Sequence, residues 1–184
     1  MNTTQASKLQ FRTASDTGSQ PIRYAIGHSS QGALLVARSD VGICAIFLAD
    51  NADLLLDQLT QSFEGSKLEN ADQALRADLE QVAAFIDNSD ADVQLDLAVD
   101  GSDFQRRVWS TLRDIPSGRT LSYKQVAQKM GEPGSARAVA SACAANKLAV
   151  VIPCHRVIRG DGSVSGYRWG VDRKRRLLDK ESAQ

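Results

Sequence analysis

The sequence predicts an α+β protein in two parts: a small antiparallel-sheet N-terminal domain over residues 21–100, packed on a mostly helical C-terminal domain over 101–184 that contains a helix-turn-helix. Three observations carry this prediction. Short β-branched runs separated by turn residues crowd the first half. After Gly101 the apolar residues recur at helical spacing instead. Charge is also segregated: residues 1–100 carry 6 Lys and Arg against 15 Asp and Glu, and residues 101–184 carry 16 against 7.

The elements follow in order. Residues 1–20 are polar, without a sustained period, and are expected to be a mobile arm. IRYAIGHS, ALLVARSD and GICAIFLAD, divided by SSQG and SDVG, read as an antiparallel meander. Asp50 or Asn51 is placed to cap a helix through ADLLLDQLTQSF, and ADQALRADLEQVAAFID gives a second helix with Leu75, Leu79, Val82 and Phe85 near one face. VQLDLAV alternates as one more strand. In the second half Ser102 caps SDFQRRVWSTLRDI, whose Phe104, Val108, Trp109 and Leu112 form an apolar face before Pro116 stops it. Ser122 opens SYKQVAQKM, Gly131 closes it, and SARAVASACAAN follows after a short turn, which together suggest the helix-turn-helix. VDRKRRLLDKES makes a last helix.

Composition narrows the functional classes. At 184 residues, 42% hydrophobic and 24% charged, the chain is an ordinary soluble type, and no apolar run approaches the roughly 20 residues that cross a bilayer. No signal-peptide pattern opens it, so a cytoplasmic location without membrane contact is expected. Three cysteines, Cys44, Cys143 and Cys154, are too few and too irregular for a disulfide framework and suit free thiols. The basic second half points to an anionic partner, nucleic acid being the commonest, although attraction between the two halves would leave the same pattern.

VIPCHRVIRGDG raises the chemical question, because Cys154 and His155 stand side by side with Arg156 and Arg159 behind them. A thiol attacks as thiolate and needs a base or positive surroundings. A buried core cysteine beside a surface histidine is the plainer reading of such a pair, since free Cys is among the most buried residues and neighbours on a strand face opposite ways. A metal site lacks ligands: there is no C-x-x-C, and the other histidine, His28, sits in a strand pattern. From Gly134 to Ala145 every residue except Arg137, Val139 and Cys143 is Gly, Ala or Ser. Such a smooth helix suits close approach to a sugar-phosphate backbone, and equally suits tight internal packing.

IPCHRVI, set between ACAANKLAV and RGDGSVSGYRWGVDRKRRLL and accompanied by FQRRVW, SYKQVA and ARAVA, resembles the O6-alkylguanine-DNA alkyltransferases, the methylated-DNA–protein-cysteine methyltransferases. The similarity is marked toward the C-terminal half of the bacterial adaptive-response (Ada) proteins and runs from about Ile22 to Glu181. It implies single-turnover repair of 6-O-methylguanine, and of 4-O-methylthymine more slowly, with Cys154 as nucleophile and permanent alkyl acceptor. His155 would draw off the thiol proton through a water, Glu181 would orient His155, and Asn146 would brace the turn before the active-site segment. Tyr123 would crowd the target phosphate and hydrogen-bond the flipped base.

The resemblance further implies binding of double-stranded DNA through the minor groove by a monomer, with no soluble cofactor and no metal. Ser135 and Ala136 would approach the backbone and Arg137 would fill the space of the extruded base. Val157, with its backbone N–H toward O6, and Tyr167, Arg168 and Trp169 would wall the pocket, which Arg168 and Trp169 would narrow in favour of methyl. Cys44 and Cys143 are expected to be structural, and Arg173 to Arg176 a solvated face. The adaptive-response proteins begin with a four-cysteine zinc domain. Residues 1–20 contain no cysteine, so methyl-triggered transcription is not expected.

Overall fold

The meander forms where the short β-branched runs and the turns between them place it. The computed structural model describes residues 9–12, 21–88 and 95–183 and divides into two units, residues 1–100 and 101–184. In the first, β2 (Ile22–Ser29), β3 (Gly32–Arg38) and β4 (Ile43–Ala49) pair antiparallel, with Leu35 opposite both Ile26 and Phe47. Ala33 to Ala37 and Ala45 to Ala49 are buried without a break, so these central strands are covered on both faces. Helices α1 (Ala52–Ser62) and α2 (Arg76–Asp87) pack on them, and the side chain of Asn51 caps α1 by accepting from Leu54 N at 3.0 Å.

The sheet is mixed rather than wholly antiparallel. Its six strands run β1-β6-β4-β3-β2-β5, in which β5 (Leu68–Asn70), β6 (Leu97–Asp100) and β1 (Leu9–Arg12) join by parallel pairing. β5 pairs with β2 after the chain has passed through α1, and β6 meets β4 after α2, the long returns that parallel pairing requires. β1 corrects the expected arm over residues 1–20 at four positions: Leu-Gln-Phe-Arg alternates, but is too short to stand out from a polar stretch. Residues 1–8, 13–20 and 89–94 lie outside the described residues, and with the last go Val93 and Gln94, the start of the expected VQLDLAV strand.

The second unit is helical. α3 (Asp103–Arg113) starts in a capping box, Ser102 with Gln105, and buries Val108, Trp109 and Leu112; Phe104 is only half-buried. α4 (Tyr123–Lys129) starts in a second box, Ser122 with Gln125, and Gly131 adopts φ +75° after its end, where a side chain would be strained. α5 (Ala136–Ala145) packs against α3 and α4, and Trp109 Nε1 donates to Ala142 O at 2.9 Å. Two two-residue strands, β7 (Leu121–Ser122) and β8 (Val157–Ile158), pair in parallel. This short ladder puts the start of α4, at Tyr123, beside the segment that follows Cys154. α6 (Val171–Ser182) closes the unit and buries Lys174, Leu177 and Glu181 along one face.

Candidate active site

Every side chain of the candidate site belongs to the second unit. Cys154 opens a 3₁₀ turn, Cys154–Arg156, and is 4% exposed. The preceding loop needs a brace, because Val150 takes φ +65°, a left-handed conformation that costs a β-branched residue about 1–3 kcal/mol. Asn146 supplies it. Fully buried, its Oδ1 accepts from Leu148 N at 2.8 Å, and its amide nitrogen lies 3.2 Å from Leu148 O and 3.0 Å from Ile152 O. The same nitrogen donates to Cys154 Sγ at 3.2 Å, so the residue that holds the loop also touches the thiol.

Behind the thiol lies a buried ionic cluster. His155 Nε2 is 2.8 Å from Glu181 Oε1. Arg156 donates to the same carboxylate twice, from Nε to Oε2 at 3.0 Å and from Nη2 to Oε1 at 2.8 Å, and its Nη1 donates to Ile115 O at 2.5 Å. Gly118 N adds a long contact to Glu181 Oε2 at 3.4 Å, and a side chain at Gly118, φ +71°, would press on the Glu181 carbonyl. A buried carboxylate tolerates its charge only when paired and hydrogen-bonded in this way. Burial pushes the Glu181 carboxyl upward, but the hydrogen bonds from His155 and Arg156 outweigh it and hold it at about 2.

His155 is fully buried, which lowers its pKa, with Glu181 opposing that shift. It is therefore a neutral imidazole near neutral pH. With the Nε2 proton directed at Glu181, Nδ1 is the basic nitrogen, and it is buried with no hydrogen-bond partner among the described residues. Burial raises the Cys154 pKa, while the Asn146 hydrogen bond and the charges of Lys174 and Arg168 pull it back. The thiol thus rests protonated, in reach of groups that stabilise its anion.

Cys154 opens on a cleft of about 330 Å³ lined by Tyr123, Ala140, Cys143, Ala144, Gly166, Tyr167 and Arg168 as well as itself. Burial raises the Tyr123 pKa, as do Cys143 and Cys154, so its phenol is a proton donor there. Tyr167 OH is buried with no hydrogen-bond partner among the described residues, and its ring packs edge-on to His155 and Trp169 at centroid distances of 6.5 and 5.2 Å.

Three expected placements change. Val157 N–H donates to Cys154 O and closes the 3₁₀ turn, so it is not turned toward a ligand. Trp169, 3% exposed, stands behind Tyr167 rather than among the residues lining the cleft. Cys143, expected to be structural, falls one helical turn after Ala140 and lines the cleft. Cys44 donates to Ala37 O at 3.5 Å within the first unit.

On α5 the exposed residues are Arg137, Ala138, Ser141 and Ala144, a smooth face with one long cation. The Arg137 guanidinium has no ion pair or hydrogen bond among the described residues. Ser135 and Ala136 are half-buried, and Ser135 Oγ donates to Glu132 O at 2.7 Å.

Two residues that sequence reasoning passed over belong to the site. In the sequence Arg156 stands out only as positive charge near Cys154. Lys174, inside the run taken for a solvated face, is fully buried, and its Nζ donates to Val157 O at 2.5 Å, Ser165 O at 3.0 Å and Gly166 O at 3.3 Å. The signal was present: Lys174, Leu177 and Glu181 fall at i, i+3 and i+7, one face of α6. Among the described residues no group of three or more His, Cys, Asp or Glu could hold a metal, and no helix is long and apolar enough to cross a membrane.

A thiol backed by a buried histidine–carboxylate pair, on a helical unit with a smooth cation-bearing face, is the arrangement that cysteine-nucleophile chemistry requires. Known proteins narrow the class. Residues 103–183 match the family described as 6-O-methylguanine DNA methyltransferase, DNA binding domain. The bifunctional transcriptional activator/DNA repair enzyme Ada of Escherichia coli is 48% identical over 161 residues, 88% of this chain and 46% of Ada. A methylated-DNA–protein-cysteine methyltransferase of Mycolicibacterium paratuberculosis is 39% identical over 146 residues, 78% of this chain and 88% of that protein. The crystal structure of Mycobacterium tuberculosis OGT in complex with DNA superposes with a TM-score of 0.74 at 31% identity, covering 88% of this chain and 93% of that one. The chain belongs to the methylated-DNA–protein-cysteine methyltransferase family. It spans about half the length of its Ada relatives, 46% of the Escherichia coli protein and 48% of the Salmonella typhimurium one.

Proposed function

We propose that this chain is a single-turnover DNA repair alkyltransferase that moves the alkyl group of 6-O-methylguanine, and more slowly that of 4-O-methylthymine, irreversibly to Sγ of its own Cys154. The observation that carries this reading is a buried thiol facing a cleft with the His155–Glu181 couple behind it. The thiol proton passes through a water to Nδ1 of His155, and Glu181, kept ionised by Arg156, stabilises the imidazolium. Sγ attacks the alkyl carbon, the bond from carbon to O6 breaks, and guanine leaves with the electron pair. Tyr123 donates a proton to the departing base, offsetting its developing charge.

The lesion reaches the cleft only if its nucleotide leaves the stack, at a cost of a few kcal/mol. The unit over residues 101–184 performs this on double-stranded DNA from the minor groove. α4 and α5 act as a helix-turn-helix whose small exposed residues allow close approach, and Arg137 fills the vacated space. The protein works as a monomer in the cytoplasm, and residues 21–100 form a separate α+β domain.

Duplex DNA labelled on the O6-methyl group tests the reading. Label is expected on wild-type protein and on Cys143→Ala, and on none of Cys154→Ala. Because phosphate contacts dominate affinity for duplex DNA, binding should also weaken steeply with added salt. Transfer that survives in Cys154→Ala overturns the assignment.

A further inference from the structure

Two side chains beside the thiol each bury a polar atom with no hydrogen-bond partner among the described residues: Nδ1 of His155 and the hydroxyl oxygen of Tyr167. His155 is fully buried, and the two rings pack edge-on with centroids 6.5 Å apart. Tyr167 also lines the cleft on which Cys154 opens, close enough for a thiolate there to raise its pKa. Burial raises that pKa more strongly still, so the phenol keeps its proton. One atom of the pair is therefore a lone-pair acceptor and the other a donor.

Leaving a buried polar group unpaired costs more than a typical hydrogen bond gains, and native interiors rarely leave two such groups on packed neighbours. One water bonded to both atoms removes that cost, since two hydrogen bonds through a water span about 5.5 Å. Buried waters are held by about three polar partners. The proton carrier in the mechanism above has two, Sγ of Cys154 and Nδ1 of His155, and a third contact would fix its orientation.

We propose that the Tyr167 hydroxyl is this third partner, a positioning residue that donates to the carrier water and holds it in line between Sγ of Cys154 and Nδ1 of His155. The proposal rests on the alkyltransferase reading above. In the step the S–H bond breaks and its proton passes to the water oxygen, while a proton already on the water passes to Nδ1. Sulfur keeps the electron pair with which it attacks. The phenol proton stays on its own oxygen throughout, so Tyr167 acts through the water alone, and its effect should not depend on the electrophile that Cys154 meets.

The test therefore uses two electrophiles on the full chain at neutral pH. One is duplex DNA carrying O6-methylguanine; the other is iodoacetamide, its reaction followed by mass on the peptide that contains Cys154. Tyr167→Phe keeps the ring and removes only the hydroxyl. It is expected to slow both reactions by the same factor, about three- to tenfold, the scale of one hydrogen bond. In a His155→Gln background, where no basic nitrogen receives the proton, Tyr167→Phe should leave the iodoacetamide rate unchanged. If Tyr167→Phe slows methyl transfer alone, the hydroxyl serves the flipped base; the proposal falls and the alkyltransferase reading stands. If both rates are unchanged, or the loss persists with His155 replaced, the hydroxyl has no part in the relay and the proposal falls. If iodoacetamide slows as expected but wild-type protein takes no methyl from the duplex, the relay stands and the alkyltransferase reading fails.

Discussion

Glu181 and His155 meet at 2.8 Å in the interior, their side chains 2% and 0% exposed. They come from separate segments, the 3₁₀ turn and α6, and Arg156 anchors the carboxylate that joins them. Glu181→Gln keeps the shape but leaves the Arg156 charge buried without its counterion. Removing one partner of a buried pair costs about 3–5 kcal/mol, so chemical denaturation should show a loss of that order.

In the proposed mechanism the same pair should set the acid limb of the reaction. Burial holds the His155 pKa below its ordinary 6.5, so the transfer rate should fall with acid only below that pH. Glu181 raises the His155 pKa, and Glu181→Gln should therefore move the acid limb lower still while slowing transfer at neutral pH. A purely structural role would change stability without moving the limb, and single-turnover rates across pH distinguish the two.

Stability should also fall on the acid side. A carboxyl held at about 2 contributes stability that is present above its unfolded value, near 4.5, and is lost as pH falls toward 2. His155, lowered by burial, must gain a proton to unfold in acid, so its contribution is intact above 6.5 and fades below it. Unfolding free energy measured from neutral to acid pH should therefore decline first below about 6.5 and more steeply below about 4.5. A flat profile across that window would contradict the buried cluster.

Asn146→Ala removes the brace of the left-handed turn at Val150 and the hydrogen bond to the thiol together. Each buried group left unsatisfied costs about 1–3 kcal/mol, so the melting temperature should drop by several degrees or more. Since the Asn146 hydrogen bond lowers the Cys154 pKa, thiol-reagent titration should place it higher in the variant.

Arg137→Ala should behave oppositely. The side chain is exposed and unpaired among the described residues, so stability should stay within about 0.5 kcal/mol of wild type. Repair of a lesion in duplex DNA should slow, whereas reaction with free O6-methylguanine base, which needs no extrusion, should not.

Local chemistry made most of this architecture legible in advance. The capping residues Ser102 and Ser122 mark α3 and α4 where the structure has them, and the short β-branched runs between turns give β2 to β4. The short strands β1, β5, β7 and β8 carry too few residues to show a period, and their pairing is set by tertiary contacts. Within the site, adjacency in PCHR drew attention to Cys154 and His155, but no local pattern joins Glu181 to them across 26 residues. Only the family resemblance named that glutamate. Arg156 and Lys174 were hidden by their charge, since such residues are normally solvated, and both are buried because carboxylate or carbonyl groups surround them.

The most direct measurement is the intact mass of the protein after incubation with excess duplex containing O6-methylguanine. One methyl group per chain is expected, located on the peptide that contains Cys154, with no further consumption of lesion. Continued turnover, more than one methyl per chain, or a methyl on Cys143 with Cys154 unmodified would contradict the assignment of Cys154 as an acceptor spent in one reaction.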